Sequence, residues 1–170
     1  VTITARLGKL TRTGEIAFNV DERAFVERTL TVARKFTSPS KQQKARMKAD
    51  SQAFAAAYRV PFSPPLFGSN FMKPLDTELN SPFGVRRVFN GKVQTRHLGI
   101  DLDGEVGAPI YAANDGVVRM ARDCFAAGNA VILSHGAGLF TSYFHLSKFE
   151  VKVGQTVKKG QIIGLVGKTG

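Results

Sequence analysis

The sequence predicts a mainly β protein whose largest part is an antiparallel β domain. Fifteen of the 17 glycines lie in residues 60–170, where short β-rich runs alternate with turns. The chain begins with apolar and polar residues in alternation over Val1–Leu7, which is typical of a half-buried strand. One run, Ser40–Tyr58, is rich in Ala, Lys, Gln and Arg and predicts a helix between the two β regions.

Residues 1–36 are interpreted as the remnant of a small N-terminal β domain. Val1–Leu7 and Glu15–Val20 both read as strands, and Thr13-Gly14 favours a turn before the second of them. The chain starts in mid-strand and shows no signal-peptide pattern. We therefore expect a processed or trimmed piece of a longer chain.

Residues 37–81 are predicted to be a linker made of a helix and a proline-rich stretch. Ser38-Pro39 supplies an N-cap and a proline at the first helical position. Five of the seven prolines follow between residues 60 and 82. We expect this stretch to be extended, to stay out of any central strand ladder and to pack on a neighbouring surface through its phenylalanines.

Residues 82–170 are predicted to form the antiparallel β domain. Asn114-Asp115-Gly116 separates two β-rich runs and predicts a hairpin. A second hairpin is predicted where a Gly-rich turn separates Ala130–Leu133 from Leu139–Leu146. Short strands with tight corners are expected at the end of the domain, where Gly-Gln recurs after six residues.

Charge and cysteine content limit the classes of function. The chain has 24 Lys and Arg against 13 Asp and Glu, a net charge of +11, which favours an anionic partner. Residues 1–59 carry +7 of this excess, and no aromatic–basic motif of a nucleic-acid module appears, so no nucleic acid is expected. No apolar run approaches the ~20 residues of a membrane span. The single cysteine, Cys124, excludes a disulfide scaffold and a Cys-based zinc finger.

Any metal site must therefore use histidine and carboxylate side chains. His97 and Asp101 would face the same side of an extended strand, and a nitrogen with a carboxylate suits zinc, although such a pair also occurs on ordinary β surfaces. Tyr143 and His145 share a face by strand alternation, and His145 is either a core histidine or a site residue. His135 lies at a Gly-rich turn and is interpreted as structural.

The β domain carries short sequence blocks in a fixed order. The blocks are Arg96–Asp101, Gly107–Val118, Gly128–Gly136, Tyr143–Ser147, and Val153-Gly154-Gln155 through Gly167–Gly170. Together they resemble the lysostaphin/LytM-type zinc metalloendopeptidases, and the resemblance covers about residues 82–170. Several blocks in order and at family-like spacing are far more specific than any single block.

The resemblance implies a β-sheet groove that holds one zinc ion, with His97 and Asp101 as two of its three protein ligands. His145 would act beside the metal by hydrogen bonding to the attacking water or the tetrahedral oxyanion, and Tyr143 would contact substrate. The implied reaction is hydrolysis of peptide bonds in bacterial cell-wall peptidoglycan, with zinc polarising the scissile carbonyl and activating water. The implied location is periplasmic or extracellular, at the bacterial cell envelope, where the anionic cell-wall surface would retain a basic chain.

The sequence departs from the family pattern at its last residues. In the family, the Gly-x-Thr-Gly turn that matches Gly167–Gly170 is followed by His-x-His, whose second histidine completes the zinc site and whose first is also catalytic. The sequence stops at Gly170. We therefore expect the third ligand to lie beyond Gly170, and residues 1–170 alone to bind zinc weakly and hydrolyse little.

Two other functions use similar sequences. A catalytically inactive scaffold or activator of cell-wall hydrolysis would keep this fold, but retention of His97, Asp101 and His145 argues against it. A lipoyl- or biotinyl-type carrier has similar Gly-Gln corners. It needs a modified lysine at a hairpin tip, and the clearest tip here is Asn114-Asp115-Gly116.

Overall fold

The computed structural model describes residues 2–7, 9–91 and 93–170, and the mainly β fold class is confirmed in them. Val1, where the first predicted strand starts, lies outside the described residues. The helices are α1 (Arg34–Thr37) and α2 (Lys41–Tyr58). The strands are β1 (Thr2–Leu7), β2 (Leu10–Glu15), β3 (Glu27–Leu30), β4 (Leu79–Ser81), β5 (Arg86–Phe89), β6 (Val93–Arg96), β7 (Asp101–Leu102), β8 (Pro109–Tyr111), β9 (Gly116–Cys124), β10 (Gly128–Ser134), β11 (Phe140–Leu146), β12 (Lys148–Phe149), β13 (Thr156–Val157) and β14 (Ile162–Leu165).

The centre of the fold is a four-stranded antiparallel sheet in the order β11-β10-β9-β13, beside a three-stranded sheet in the order β12-β14-β8. Both sheets contribute to one hydrophobic core, in which Val118, Leu133, Leu146 and Ile163 are fully buried. Burial of each such side chain contributes about 1.5–3 kcal/mol to folding. This core fixes the frame on which the loops and the short outer strands are placed.

The two predicted hairpins have different outcomes. β10 and β11 pair as predicted. The hairpin at Asn114-Asp115-Gly116 is wrong, because β8 pairs with β14 while β9 pairs with β10 and β13. Tertiary contacts determine this turn: the buried Asn114 side chain donates to the Ser69 carbonyl at 2.8 Å, and the Asp115 carboxylate accepts from the Lys159 N–H at 2.8 Å. The segment is a corner between two sheets.

Helix α2 is confirmed, but its N-cap is Ser40 rather than Ser38. Ser40 and Gln43 form a capping box, in which each side chain accepts a hydrogen bond from the other residue's backbone N–H. The helix shares a second hydrophobic core with β9 and β10, built from Ala57, Met120, Cys124, Ala130 and Ile132. α2 therefore packs as part of the β domain as well as connecting two regions of the chain.

The proline-rich stretch after α2 packs on the sheets as predicted. The Leu66 N–H donates to the His135 carbonyl at 2.8 Å, and the Met72 N–H donates to the Ala113 carbonyl at 3.0 Å. Gly136 adopts φ +74°, and a Cβ there would overlap the Pro64 carbonyl oxygen, so only glycine fits this close approach. The stretch is a strap across the edge of the β domain.

The N-terminal residues form different strands from those predicted. β1 pairs with β2, but the second strand ends at Glu15, and Ile16, Phe18 and Val20 are exposed. A strand over Glu15–Val20 is therefore wrong, because β2 runs over Leu10–Glu15 and ends where the predicted strand begins. β3 instead pairs in parallel with β5 and so joins the first 36 residues to the later domain.

No helix in the described part of the chain is both long and apolar enough to cross a membrane.

Candidate metal centre

His97 and Asp101 lie where β6 ends and β7 begins. The backbone of His97 is anchored on both sides, because its N–H donates to the Val85 carbonyl at 2.8 Å and its carbonyl accepts from the Gly84 N–H at 2.8 Å. Asp101 opposes Ser81 in the β4–β7 pair. The structure therefore brings these two predicted site residues together through strand pairing on either side of them.

The two side chains face each other. His97 Nε2 lies 3.1 Å from Asp101 Oδ1, and His97 Nδ1 lies 3.0 Å from the Pro82 carbonyl oxygen. Because a carbonyl only accepts hydrogen bonds, the proton of a neutral His97 is on Nδ1 and its Nε2 lone pair points at the carboxylate. Two acceptors at this distance repel each other unless a cation lies between them, either a proton or a metal ion.

Zinc fits this pair of donors. Bonds of about 2.0–2.2 Å in tetrahedral geometry separate two ligand atoms by roughly 3.3–3.5 Å, close to the 3.1 Å between Nε2 and Oδ1. A backbone carbonyl at the other ring nitrogen is the usual support of a ligating histidine. In residues 2–7, 9–91 and 93–170, no three His, Cys, Asp or Glu side chains cluster around a possible ion, so this pair supplies two donors.

Arg87 of β5 also belongs to this centre, and sequence reasoning missed it. Its Nη2 donates to Asp101 Oδ2 and lies 3.5 Å from Ser81 Oγ. The contact depends on the β4–β7 and β5–β6 pairings, which bring Arg87 and Asp101 together across a turn. The Arg86-Arg87 dipeptide carries no local signal that would single out Arg87.

His145 is held by another part of the chain, the segment that contains Thr169. In the part of the chain that the structure describes, it makes no hydrogen bond or ion pair with His97 or Asp101. Its Nδ1 lies 2.7 Å from the Thr169 carbonyl oxygen, which places the proton on Nδ1 and leaves Nε2 as an acceptor. The side chain is exposed, so this acceptor is accessible.

Strand alternation does not hold around His145. The β10–β11 register shifts by one residue between Tyr143 and Leu146, and His145 adopts φ +62°. This bulge sets two residues of β11 opposite one residue of β10. Tyr143 and His145 therefore do not share a face.

Tyr143 lies in the hydrophobic core, with 7% of its surface exposed. Its hydroxyl accepts from the Ala113 N–H at 2.9 Å and lies 2.9 Å from Thr141 Oγ1. Burial raises the pKa of Tyr143. The predicted substrate contact of Tyr143 is therefore corrected to a core position, because the side chain and its hydroxyl are enclosed by the protein.

His135 is fully buried, and both ring nitrogens have partners. Nδ1 lies 2.7 Å from the Asp115 carbonyl oxygen, and Nε2 lies 2.8 Å from Thr141 Oγ1. Burial lowers the pKa of His135. A histidine with both nitrogens engaged inside the protein has none left for a metal, which supports its structural interpretation.

The buried position of His135 predicts a pH dependence of stability. We expect the free energy of unfolding to decrease as the pH falls below about 6.5, by at most about 1.4 kcal/mol per pH unit. The reason is that His135 binds a proton in the unfolded chain at a higher pH than it does in the folded protein. Urea unfolding between pH 7.5 and 5 measures the decrease, and imidazole ¹⁵N chemical shifts assign it. A His135 resonance that titrates near pH 6.5 in the folded protein would contradict this prediction.

Comparisons with known proteins identify relatives of the β domain. The family model described as peptidase family M23 matches residues 95–170. Among curated relatives, the peptidoglycan DD-endopeptidase ShyA of Vibrio cholerae is 44% identical over 100 residues, 57% of this chain and 23% of ShyA. The DD-carboxypeptidase/endopeptidase Mpg of Neisseria meningitidis is 38% identical over 103 residues, 61% of this chain and 24% of Mpg. The chain thus spans less than a quarter of the length of either relative.

Two solved structures are also similar. The crystal structure of a putative peptidase M23 from Pseudomonas aeruginosa superposes with a TM-score of 0.71 at 28% identity, covering 99% of this chain and 61% of that one. A zinc-containing peptidase from Vibrio cholerae superposes with a TM-score of 0.56 at 38% identity, covering 60% of this chain and 33% of that one. The family resemblance found in the sequence is confirmed for the β domain: residues 95–170 match peptidase family M23.

Proposed function

We propose that this protein is a zinc-dependent endopeptidase that hydrolyses peptide bonds in bacterial cell-wall peptidoglycan. The observation that carries the proposal is the pair His97 Nε2 and Asp101 Oδ1, a nitrogen and a carboxylate oxygen that face each other at 3.1 Å, close to the separation of two zinc ligands. The pair lies inside the region that matches peptidase family M23. The named activity of ShyA, a peptidoglycan DD-endopeptidase, supports the substrate class.

His97 and Asp101 would hold the metal. When bound, zinc supplies a Lewis acid that polarises a carbonyl and lowers the pKa of water. The Pro82 carbonyl keeps the His97 proton on Nδ1 and so keeps Nε2 available as a ligand. The Asp101 side chain is 46% exposed and the His97 side chain 12%, so a substrate can approach the pair from the carboxylate side.

His145 would take part in proton handling. The hydrogen bond from its Nδ1 to the Thr169 carbonyl fixes the ring, and the free Nε2 can accept a proton from water or hydrogen-bond to a developing oxyanion. Bulge geometry supports this role, because φ +62° turns His145 out of the regular alternation of β11. Bulges are frequent next to active sites, where they redirect a side chain.

The charge of the chain supports a place at the cell envelope. A net charge of +11 favours retention on an anionic surface such as the cell wall. The relatives ShyA and Mpg carry names that refer to peptidoglycan or to DD-peptidase activity. We propose a periplasmic or extracellular location on this basis.

The proposal is tested by digesting purified sacculi with a zinc-loaded form of the protein that extends past Gly170, with residues 1–170 alone as the comparison, and analysing the released muropeptides. We expect the extended form to cleave cross-linked muropeptides at a peptide bond, and we expect a chelator to abolish the cleavage and added zinc to restore it. Zinc content measured on the same samples links activity to metal. An extended form that binds no zinc and releases nothing would overturn the proposal and favour the inactive scaffold or activator.

A further inference from the structure

We infer that Arg87 is a positioning residue for Asp101, holding one carboxylate oxygen so that the other is presented to the metal. The inference rests on the proposed zinc site. It extends that site to a residue on a neighbouring strand that donates no electron pair to the metal itself.

The two oxygens of Asp101 have different partners. Oδ1 faces His97 Nε2 at 3.1 Å, whereas Oδ2 accepts a hydrogen bond from Arg87 Nη2. Oδ1 is therefore the oxygen available as a ligand, and Oδ2 is the oxygen held by Arg87. An aspartate without this partner could rotate about χ2 and offer either oxygen or both.

Arg87 itself is held in place by its surroundings. Its side chain is 22% exposed, and its Nη2 lies 3.5 Å from the hydroxyl of the buried Ser81, the residue that opposes Asp101 in the β4–β7 pair. β5 also pairs with β6, where Arg87 opposes Thr95. Since β6 leads directly into His97, Arg87 links the strands that carry both proposed ligands.

The positive charge of Arg87 and its hydrogen bond to Asp101 have opposite expected effects on zinc affinity. A guanidinium is always protonated, so its positive charge close to the site opposes cation binding. If charge dominates, loss of Arg87 tightens zinc binding. If positioning dominates, loss of Arg87 weakens zinc binding, since changes in partners of metal ligands typically cost about 10–100-fold in affinity.

The test measures zinc affinity by competition with a chromophoric chelator, in the wild type and in Arg87→Gln, both in the form that extends past Gly170. We expect affinity to fall by about 10–100-fold in Arg87→Gln, and the absorption bands of the Co²⁺-loaded protein to change in intensity as Asp101 loses its fixed orientation. Arg86→Gln is the matched control. It removes the same charge from the same strand at a half-exposed residue that pairs with Glu27 at 3.3 Å, and its affinity should change little.

Arg87→Lys gives a second, independent measurement. Lysine keeps the charge but not the planar fork of donors, so we expect an affinity between those of the wild type and Arg87→Gln. If circular dichroism shows that Arg87→Gln does not fold, the zinc affinity of Arg87→Lys provides the test. Wild-type affinity in the folded variants, or tighter binding, overturns the inference while leaving the proposed function intact. A wild type that binds no zinc overturns the proposed function and the inference together.

Discussion

Zinc binding is expected to be lost when His97 is replaced by alanine, and hydrolysis of peptidoglycan with it. His97 Nε2 is one of two donor atoms in the described site, and its Nδ1 is already committed to the Pro82 carbonyl. Since changes outside the ligand set cost about 10–100-fold in metal affinity, removal of a ligand should cost at least about 100-fold. Equilibrium dialysis with zinc and muropeptide release from sacculi measure the two losses.

His145→Ala provides the contrasting variant for this prediction. His145 makes no hydrogen bond or ion pair with the His97–Asp101 pair in the described residues, so zinc affinity should be retained. The rate constant for hydrolysis should still fall, by about 10²–10³-fold, the usual cost of removing one group that assists proton transfer or stabilises an oxyanion. If His97→Ala kept wild-type zinc affinity, the assignment of His97 as a ligand would be wrong.

The largest loss of stability is expected for Asp50→Ala. Asp50 is buried in α2, where its carboxylate accepts from the Arg122 Nε at 3.0 Å and from the buried Phe125 N–H at 2.7 Å. Alanine would leave that N–H without this partner and would break the more buried of two ion pairs between α2 and β9. We expect the free energy of unfolding to fall by about 2–4 kcal/mol, as measured by urea denaturation.

Asp123→Ala is the matched control for Asp50→Ala. Asp123 also pairs with an arginine across the interface between α2 and β9, with Arg46 Nη2 at 2.7 Å, but its side chain is 67% exposed. Exposed ion pairs contribute about 0–1 kcal/mol, so this change should be nearly neutral. Equal losses in the two variants would show that burial of Asp50 does not set its contribution.

The resemblance carried by the ordered sequence blocks, and not the His97–Asp101 pair alone, indicated the proposed ligands, and it did not indicate the groups around them. An extended strand would separate residues four apart by about 13 Å. The structure places His97 Nε2 3.1 Å from Asp101 Oδ1 because residues 97–100 lie between β6 and β7 and form no strand. Their role as ligands stays a prediction. The contact of Arg87 with Asp101 requires two separate strand pairings, which no local pattern in the sequence specifies.

Long-range contacts also explain why two predictions from the local sequence are wrong. Asn114-Asp115-Gly116 has the composition of a tight hairpin turn, but hydrogen bonds to Ser69, Lys158 and Lys159 make it a corner between two sheets. Tyr143 and His145 are separated in orientation by a bulge that depends on the register of β10 with β11. Strand periodicity assumes a regular ladder, and a one-residue shift reverses its prediction for every residue beyond it.

The parallel pairing of β3 with β5 has a consequence for the order of folding. β5 and β6 are joined by a short turn, and their hairpin closes a small loop, whereas β3 meets β5 only after the intervening chain from Glu27 to Arg86 has closed on itself. Local contacts of this kind generally form before distant ones, because closing a longer loop costs more entropy. β5, which carries Arg87, should therefore pair with β6 early in folding and with β3 late. During synthesis, residues 27–30 must wait for a segment that leaves the ribosome well after them.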